Sequence, residues 1–230
     1  MAYRYAIYFS PKHTALARFG ASALGYDIHT GTKVDALSLQ SLTADQWFAV
    51  TNRARGYGFH ATLKAPFRLS SDQDKNALCV AFDAFCEQHR KVSLPNLAVR
   101  AHHGFLAVTP SYQPKALLAL ERAIVEDFEP FRAPLTKAEI ARRNPQRLSE
   151  RQRQNLDRYG YPFVLHDFQF HMTLSKFVER EPFASSLETE LNDMLQQSLE
   201  ADDSKLHSLT LAYQETPDAA FKALETKSLG

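Results

Sequence analysis

The sequence predicts an α+β fold made of two related lobes with flanking helices. Segments whose apolar residues recur with the period of a strand alternate with segments whose apolar residues recur with the period of a helix. This alternation is typical of an α+β or an α/β sandwich. In addition, the unit Phe-His-x-Thr-Leu occurs twice, at residues 59–63 and 170–174. Copies so far apart indicate two structurally related lobes and not a short solenoid repeat. We therefore treat residues 1–230 as a single two-lobed domain.

The chain is predicted to begin with a strand at residues 4–9, where apolar and aromatic side chains alternate with others. A helix is predicted over residues 13–26, because its apolar positions recur at helical spacing and Gly25 lies near its expected end. Thr43 and Gln46 have the spacing of a capping box, which predicts the start of a short helix.

The first His-x-Thr motif lies in a predicted strand at residues 57–67, which Pro66 is expected to end. A helix follows over 72–90, with an apolar stripe along one face. Residues 97–109 predict a hairpin that turns at His103-Gly104.

Residues 132–158 differ from the rest of the chain, because they are rich in arginine and poor in large apolar side chains. We interpret them as a polar helical insertion that is either a solvated surface or a lid facing phosphate-rich substrates. The other predicted elements are helices at 114–128 and 184–198, strands at 168–175 and 206–214, and a short ending at 219–224.

The composition limits the partners of the protein. Lys and Arg total 27 against 26 Asp and Glu, so a basic excess of the kind that a polynucleotide-binding protein needs is missing, and nucleic acid is left open but not favoured. No apolar run is long enough to span a membrane. Cys79 and Cys86 are two helical turns apart, too far for a disulfide, which predicts a reducing, cytoplasmic location. The oligomeric state is left open.

The two His-x-Thr motifs have the spacing that brings functional groups together. Side chains at i and i+2 of a strand point to the same face, so His60 projects with Thr62 and His171 with Thr173. Simple alternation extends these rows to Lys64 and Ser175, which are candidate phosphate-binding residues. The same alternation turns Tyr57 away and predicts a packing role for it, unless a bulge at Gly58 re-aims the side chain.

This set of residue types suits the chemistry of phosphate esters. Two histidines can act as base and acid on opposite sides of phosphorus near neutral pH. Hydroxyl groups can donate hydrogen bonds to the non-bridging oxygens, where negative charge develops. The arrangement requires neither a metal nor another cofactor. His102 and His103 are adjacent and face opposite ways in a strand, and the remaining histidines lack ligand spacing, so no metal site is predicted.

The paired motifs resemble those of the two-histidine phosphoesterase superfamily. Residues 4–9, 16–22, 57–67 and 170–174 are similar to a bacterial family encoded with phosphonate-utilisation genes. The resemblance implies a bilobal, pseudo-two-fold α+β fold of antiparallel-sheet lobes with the active cleft between them. It also implies catalysis by His60 and His171, with phosphate contacts from Thr62 and Thr173.

The expected function is metal-independent hydrolysis of a small cyclic phosphate or phosphodiester, in phosphonate metabolism as the resemblance implies. The partner is then a small phosphorylated substrate. Two alternatives stay open. One is an RNA 2′,3′-cyclic phosphodiesterase or ligase-like enzyme, and the other is a non-catalytic module that binds a phosphorylated metabolite.

Overall fold

A seven-stranded antiparallel sheet forms the centre of the computed structural model, which describes residues 4–176 and 183–230. Its strands are β1 (Arg4–Phe9), β4 (Ala61–Arg68), β6 (Ala98–His102), β7 (Phe105–Thr109), β8 (Met172–Thr173), β10 (Ser208–Gln214) and β11 (Lys222–Ser228). They lie in the order β11-β10-β1-β4-β8-β7-β6. Two short ribbons pair β2 (Tyr26–Asp27) with β3 (Thr32–Lys33) and β5 (Val92–Ser93) with β9 (Lys205–Leu206).

Helices accompany this sheet along the described part of the chain. They are α1 (Ala15–Leu24), α2 (Ala44–Arg55), α3 (Lys75–Gln88), α4 (Lys115–Asp127), α5 (Lys137–Ala141), α6 (Glu150–Tyr159) and α7 (Phe183–Ser198). The apolar faces of α1, α2, α3, α4 and α7 share one large buried cluster with the sheet, which includes Trp47 of α2, Phe82 of α3 and Ile124 of α4. None of the helices in residues 4–176 and 183–230 is both long and apolar enough to cross a membrane.

Several local predictions are confirmed. Gly25 ends α1 with a left-handed φ of 65°, and Thr43 and Gln46 form the reciprocal capping box that begins α2. The 97–109 hairpin turns where predicted, because His103 and Gly104 both have positive φ, as a tight hairpin turn requires. These boundaries were readable because each depends on a local backbone requirement of a particular residue.

Other boundaries differ from the predictions. Pro66 does not end β4, which continues to Arg68. Because β4 pairs with β8 at Ala61, the missing N–H of Pro66 costs no hydrogen bond to β8. Strand β8 covers two residues instead of the predicted 168–175. The predicted ending at 219–224 is part of an edge strand, β11, held by β10. The strands of the expected lobes join in one continuous sheet.

The Arg-rich insertion contains α5 and α6, as a helical insertion was predicted to, and is attached beside the end of β4. Its first residues meet β4 through the hydrogen bond from Ala133 N to Arg68 O at 2.8 Å. Arg68 also pairs with Glu139 of α5 at 3.1 Å. The insertion is therefore positioned next to the strand that carries the first His-x-Thr motif.

Candidate active site

Strands β4 and β8 are neighbours in the sheet, which brings the two motifs side by side. The pairing aligns Ala61 of the first motif with Met172 of the second. Both of these middle residues are buried in the core. Because successive side chains of a strand point to opposite faces, the histidines and threonines on either side of them point away from that core.

Continuing the same antiparallel register places His60 beside Thr173 and Thr62 beside His171. All four side chains are half-buried. Residues opposite each other in antiparallel strands have Cβ atoms about 5 Å apart, so this register keeps the four side chains close together. The two motifs thus form a compact square in which each histidine has a threonine across the strand pair.

Each histidine is held in the same way by its own backbone. His60 Nδ1 lies 2.9 Å from the carbonyl oxygen of Gly58, and His171 Nδ1 lies 2.7 Å from that of Gln169. A carbonyl can only accept a hydrogen bond, so Nδ1 carries the proton and Nε2 is the free base of the neutral ring. His60 Nε2 lies 3.1 Å from the hydroxyl oxygen of Thr62, which donates to it.

Burial disfavours the protonated, positively charged form of both imidazoles. Burial lowers the pKa of His60 to about 4, and the proximity of His171 adds to the effect while the Gly58 carbonyl opposes it. Burial also lowers the pKa of His171, and the hydrogen bond that its Nδ1 donates to the Gln169 carbonyl opposes this shift. His60 is therefore neutral near pH 7 and able to accept a proton.

Aromatic rings fix both histidines from the side. The ring of Tyr8 lies 3.9 Å from that of His60, centroid to centroid, and Tyr57 lies 6.1 Å from it. His171 stacks on His102 with 4.7 Å between centroids and 27° between planes. His102 was predicted only to mark a hairpin tip, and the structure brings it against the second motif.

A cavity of about 500 Å³ opens beside the motifs. His60, Thr62, Thr173 and Ser175 line it, whereas His171 packs against Phe105 of the wall, 5.5 Å between ring centroids, and does not itself line the space. The lining also contains cations and tyrosines, namely Arg4, Arg53, Arg143 and Lys176 with Tyr8, Tyr57 and Tyr161.

Ser175 is buried at this cavity, and its hydroxyl already has a structural partner. The backbone N–H of Leu106 donates to its Oγ at 3.2 Å. The oxygen can still donate its own proton, so the structure leaves Ser175 among the groups that a ligand in the cavity could meet.

Lys64 is not brought to the cavity. Its Nζ donates to the carbonyl oxygen of Val125 at 2.9 Å and to Glu129 at 3.0 Å, and its side chain is only 4% exposed. The β1–β4 register shifts between Thr62 and Lys64, because Tyr8 pairs with Thr62 but Ile7 pairs with Lys64. This bulge adds one residue to β4 and reverses the alternation that predicted a phosphate contact.

Tyr57, unlike Lys64, lies at the cavity, although alternation alone predicted a packing role for it. Gly58 has φ of +71°, and a Cβ there would meet the Cβ of Ile28 at 2.6 Å, so the position requires glycine. Tyr57 lines the cavity while it also stacks on Phe221 at 5.3 Å. It therefore contributes to both packing and the site.

Several lining residues had no signal in the motifs. Arg4 and Tyr8 come from β1, which is distant in sequence but adjacent to β4 in the sheet. Arg143 comes from the insertion, where its guanidinium lies 4.9 Å from the ring centre of Tyr161. Their roles depend on tertiary contacts. Within the described ranges no group of three or more His, Cys, Asp or Glu residues could hold a metal ion.

Two curated relatives carry the name ribose 1,5-bisphosphate phosphokinase PhnN. The one from Janthinobacterium sp. (strain Marseille) is 36% identical over 173 residues, which are 75% of this chain and 38% of the relative. The one from Laribacter hongkongensis (strain HLHK9) is 27% identical over 187 residues, 80% of this chain and 42% of the relative. The chain thus spans less than half the length of these proteins.

A family match covers residues 62–222. It includes Thr62, His171 and Thr173 and begins two residues after His60. The family is described as a protein of unknown function, DUF1045. Because the match extends over most of the sequence, the chain belongs to the DUF1045 family.

Proposed function

We propose that this protein is a phosphoesterase that hydrolyses a small cyclic phosphate or phosphodiester without a metal cofactor. The observation that carries the proposal is the β4–β8 register, which gathers two histidines and two threonines on one face of the sheet. Both imidazoles present Nε2 as the free nitrogen, since each Nδ1 donates to a carbonyl. An unprotonated Nε2 can accept a proton as a base, and the same nitrogen can act as an acid once it is protonated.

In the proposed reaction, Nε2 of His60 takes a proton from water as the water oxygen bonds to phosphorus. The opposite P–O bond breaks, and Nε2 of His171 gives its proton to the leaving oxygen, so that a phosphate monoester results. His171 acquires that proton when the anionic substrate binds, because a nearby negative charge raises a histidine pKa. The hydroxyls of Thr62 and Thr173 donate to the non-bridging oxygens, and Thr62 leaves Nε2 of His60 to do so.

The cavity supports a small substrate. About 500 Å³ is the size of a site for one metabolite, and the near balance of charge on the whole chain argues against a long nucleic acid. The name of the relatives refers to a ribose bisphosphate, which is consistent with a sugar phosphate as substrate. Together with the resemblance to proteins encoded with phosphonate-utilisation genes, this places our proposal in phosphonate metabolism.

We do not extend the kinase reaction in that name to this chain. The sequence contains no G-x-x-x-x-G-K-S/T loop of the kind that binds nucleotide phosphates. We propose that the kinase activity belongs to the part of the relatives that this chain does not cover. We also propose that the two halves of the sheet, β11-β10-β1-β4 and β8-β7-β6, are the two related lobes, each contributing one motif.

The test is hydrolysis of nucleoside 2′,3′-cyclic phosphates and ribose 1,2-cyclic phosphate in the presence of a metal chelator. We expect turnover by the intact protein and a loss of at least ~100-fold in His60→Ala and in His171→Ala, the usual scale for a general acid or base. His166→Ala, an exposed histidine away from the cavity, is the control and should keep full activity. Binding without turnover would instead indicate a non-catalytic module.

A further inference from the structure

The cavity beside the motifs is more cationic than one phosphodiester requires. Arg4, Arg53, Arg143 and Lys176 line it, and no Asp or Glu among the described residues does. None of these four cations forms a salt bridge with another described residue. A concentration of unpaired positive charge in one concave site favours an anionic ligand.

The hydroxyl of Tyr8 gives a second, independent indication of a ligand. Tyr8 is fully buried, it lines the cavity, and its Oη has no hydrogen-bond partner among the described residues. Burial raises the pKa of this phenol, and Tyr57 and Tyr161 add to the rise while Arg4 opposes it. All three of these residues line the same cavity as Tyr8. A buried donor without an acceptor is costly unless a ligand supplies one.

These groups lie on the His60 side of the cavity. The ring of Tyr8 packs against His60 at a tilt. The guanidinium of Arg4 lies 5.8 Å from the ring centre of Phe221, which stacks on Tyr57. Arg4 is positioned by Gln214, whose Oε1 accepts from its Nε at 2.8 Å. This leaves its positive charge uncompensated.

Arg143 brings a further cation from the insertion. Its guanidinium lies over the ring of Tyr161, which lines the same cavity, and its side chain is otherwise exposed. Two other insertion arginines form ion pairs, Arg132 with Glu129 and Arg151 with Asp167. The remaining ones do not line the cavity, so among the described insertion arginines Arg143 is the one whose unpaired charge is available at the site.

We infer that Arg4, Arg143 and the hydroxyl of Tyr8 form a subsite for a second phosphate of the substrate, a monoester, next to the phosphate that His60 and His171 cleave. The inference rests on the proposed function and names its substrate class, a cyclic sugar phosphate that also carries a phosphate monoester. A cyclic diester brings one negative charge, whereas a monoester adds about 1.5 to 2 more near pH 7. Such a substrate matches the four unpaired cations better than a simple cyclic phosphate.

The test compares ribose 1,2-cyclic phosphate with and without a 5-phosphate as substrates of the intact chain. We expect the 5-phosphate to raise kcat/KM. Arg143→Ala should lower kcat/KM for the phosphorylated substrate by about 10- to 100-fold, which corresponds to the loss of one hydrogen bond to a charged group. On the substrate without the 5-phosphate, Arg143→Ala should lose much less of its kcat/KM than on the phosphorylated one. Arg142→Ala, an exposed neighbour outside the cavity, is the matched control. Tyr8→Phe, which deletes only the hydroxyl, should show the same selectivity for the phosphorylated substrate.

Equal losses on both substrates, or no preference for the 5-phosphate in the intact protein, would overturn the subsite while leaving the phosphoesterase proposal intact. Calorimetric titration with ribose 5-phosphate tests the subsite without any turnover. Binding that weakens in Arg143→Ala and not in Arg142→Ala supports the subsite even if no cyclic phosphate is hydrolysed. No binding to the intact protein, or equal binding to both variants, refutes it.

Discussion

The position of Lys64 leads to a prediction that separates stability from catalysis. Its side chain is 4% exposed and pairs with Glu129, whose side chain is 24% exposed and also contacts Arg132 at 2.6 Å. Removing one member of a buried pair costs about 3 to 5 kcal/mol. Because Glu129 keeps its second partner, we expect Lys64→Ala to lower the free energy of unfolding by about 3 kcal/mol, the lower end of that range. For a chain of this size that lowers Tm by about 6 to 12 °C.

The measurement is urea unfolding followed by the fluorescence of the one tryptophan, Trp47, which is buried in the core. Lys227→Ala is the matched control, since Lys227 makes a 3.1 Å ion pair with Asp83 in which both side chains are about two-fifths exposed. That variant should lose no more than about 1 kcal/mol. The activity of folded Lys64→Ala should be unchanged. Normal stability with weakened phosphate binding would refute the β-bulge argument and restore Lys64 as a phosphate ligand.

Three further predictions concern other positions. Burial raises the pKa of Glu121 to about 7, so the folded state holds a proton that the unfolded state has lost above pH ~4.3. Stability therefore falls as pH rises from about 4 to 7, and Glu121→Gln should stabilise the protein by up to about 3 kcal/mol at pH 8 and not at pH 4 in urea unfolding. A variant no more stable than the wild type at pH 8 would contradict this. A Cβ on Gly20 would lie 1.9 Å from the Phe59 ring, so Gly20→Ala should cost about 1 to 3 kcal/mol in thermal unfolding, whereas Gly56→Ala, with no atom nearer than 3.8 Å, should be neutral. Equal stability of the two variants would refute the packing argument. A general base must be neutral, and burial lowers the pKa of His60 to about 4, so kcat/KM measured against pH should fall on the acid side only near pH 4. A fall already near pH 6.5 would contradict the assignment of His60 as the base.

The sequence predicted those features of the fold that depend on local requirements. Gly25 ends α1 because a left-handed cap favours glycine, and Thr43 with Gln46 satisfies the first N–H groups of α2. The edge strand β11 could not be predicted in the same way. Its residues alternate only weakly, and pairing with β10 defines it.

The motif residues of the site were predictable because same-face spacing is a property of any strand. Lys64 was misplaced because a bulge of one residue reverses that spacing, and nothing in the residues 61–68 specifies the shift. Tyr8 and Arg143 could not be found from motifs. Tyr8 belongs to a strand that is next to β4 in the sheet order, and Arg143 belongs to the insertion and lines the cavity from there.

The central claim is that His60 and His171 act as a base and an acid in one reaction. It is tested most directly by comparing a substrate with a poor leaving group, such as a cyclic sugar phosphate, with a 4-nitrophenyl phosphodiester, whose leaving group needs no proton. We predict that His60→Ala loses at least ~100-fold in kcat/KM on both substrates, while His171→Ala loses that much on the cyclic phosphate only. Equal losses in His171→Ala on both substrates would contradict the acid role, and unchanged turnover in His60→Ala would contradict the mechanism.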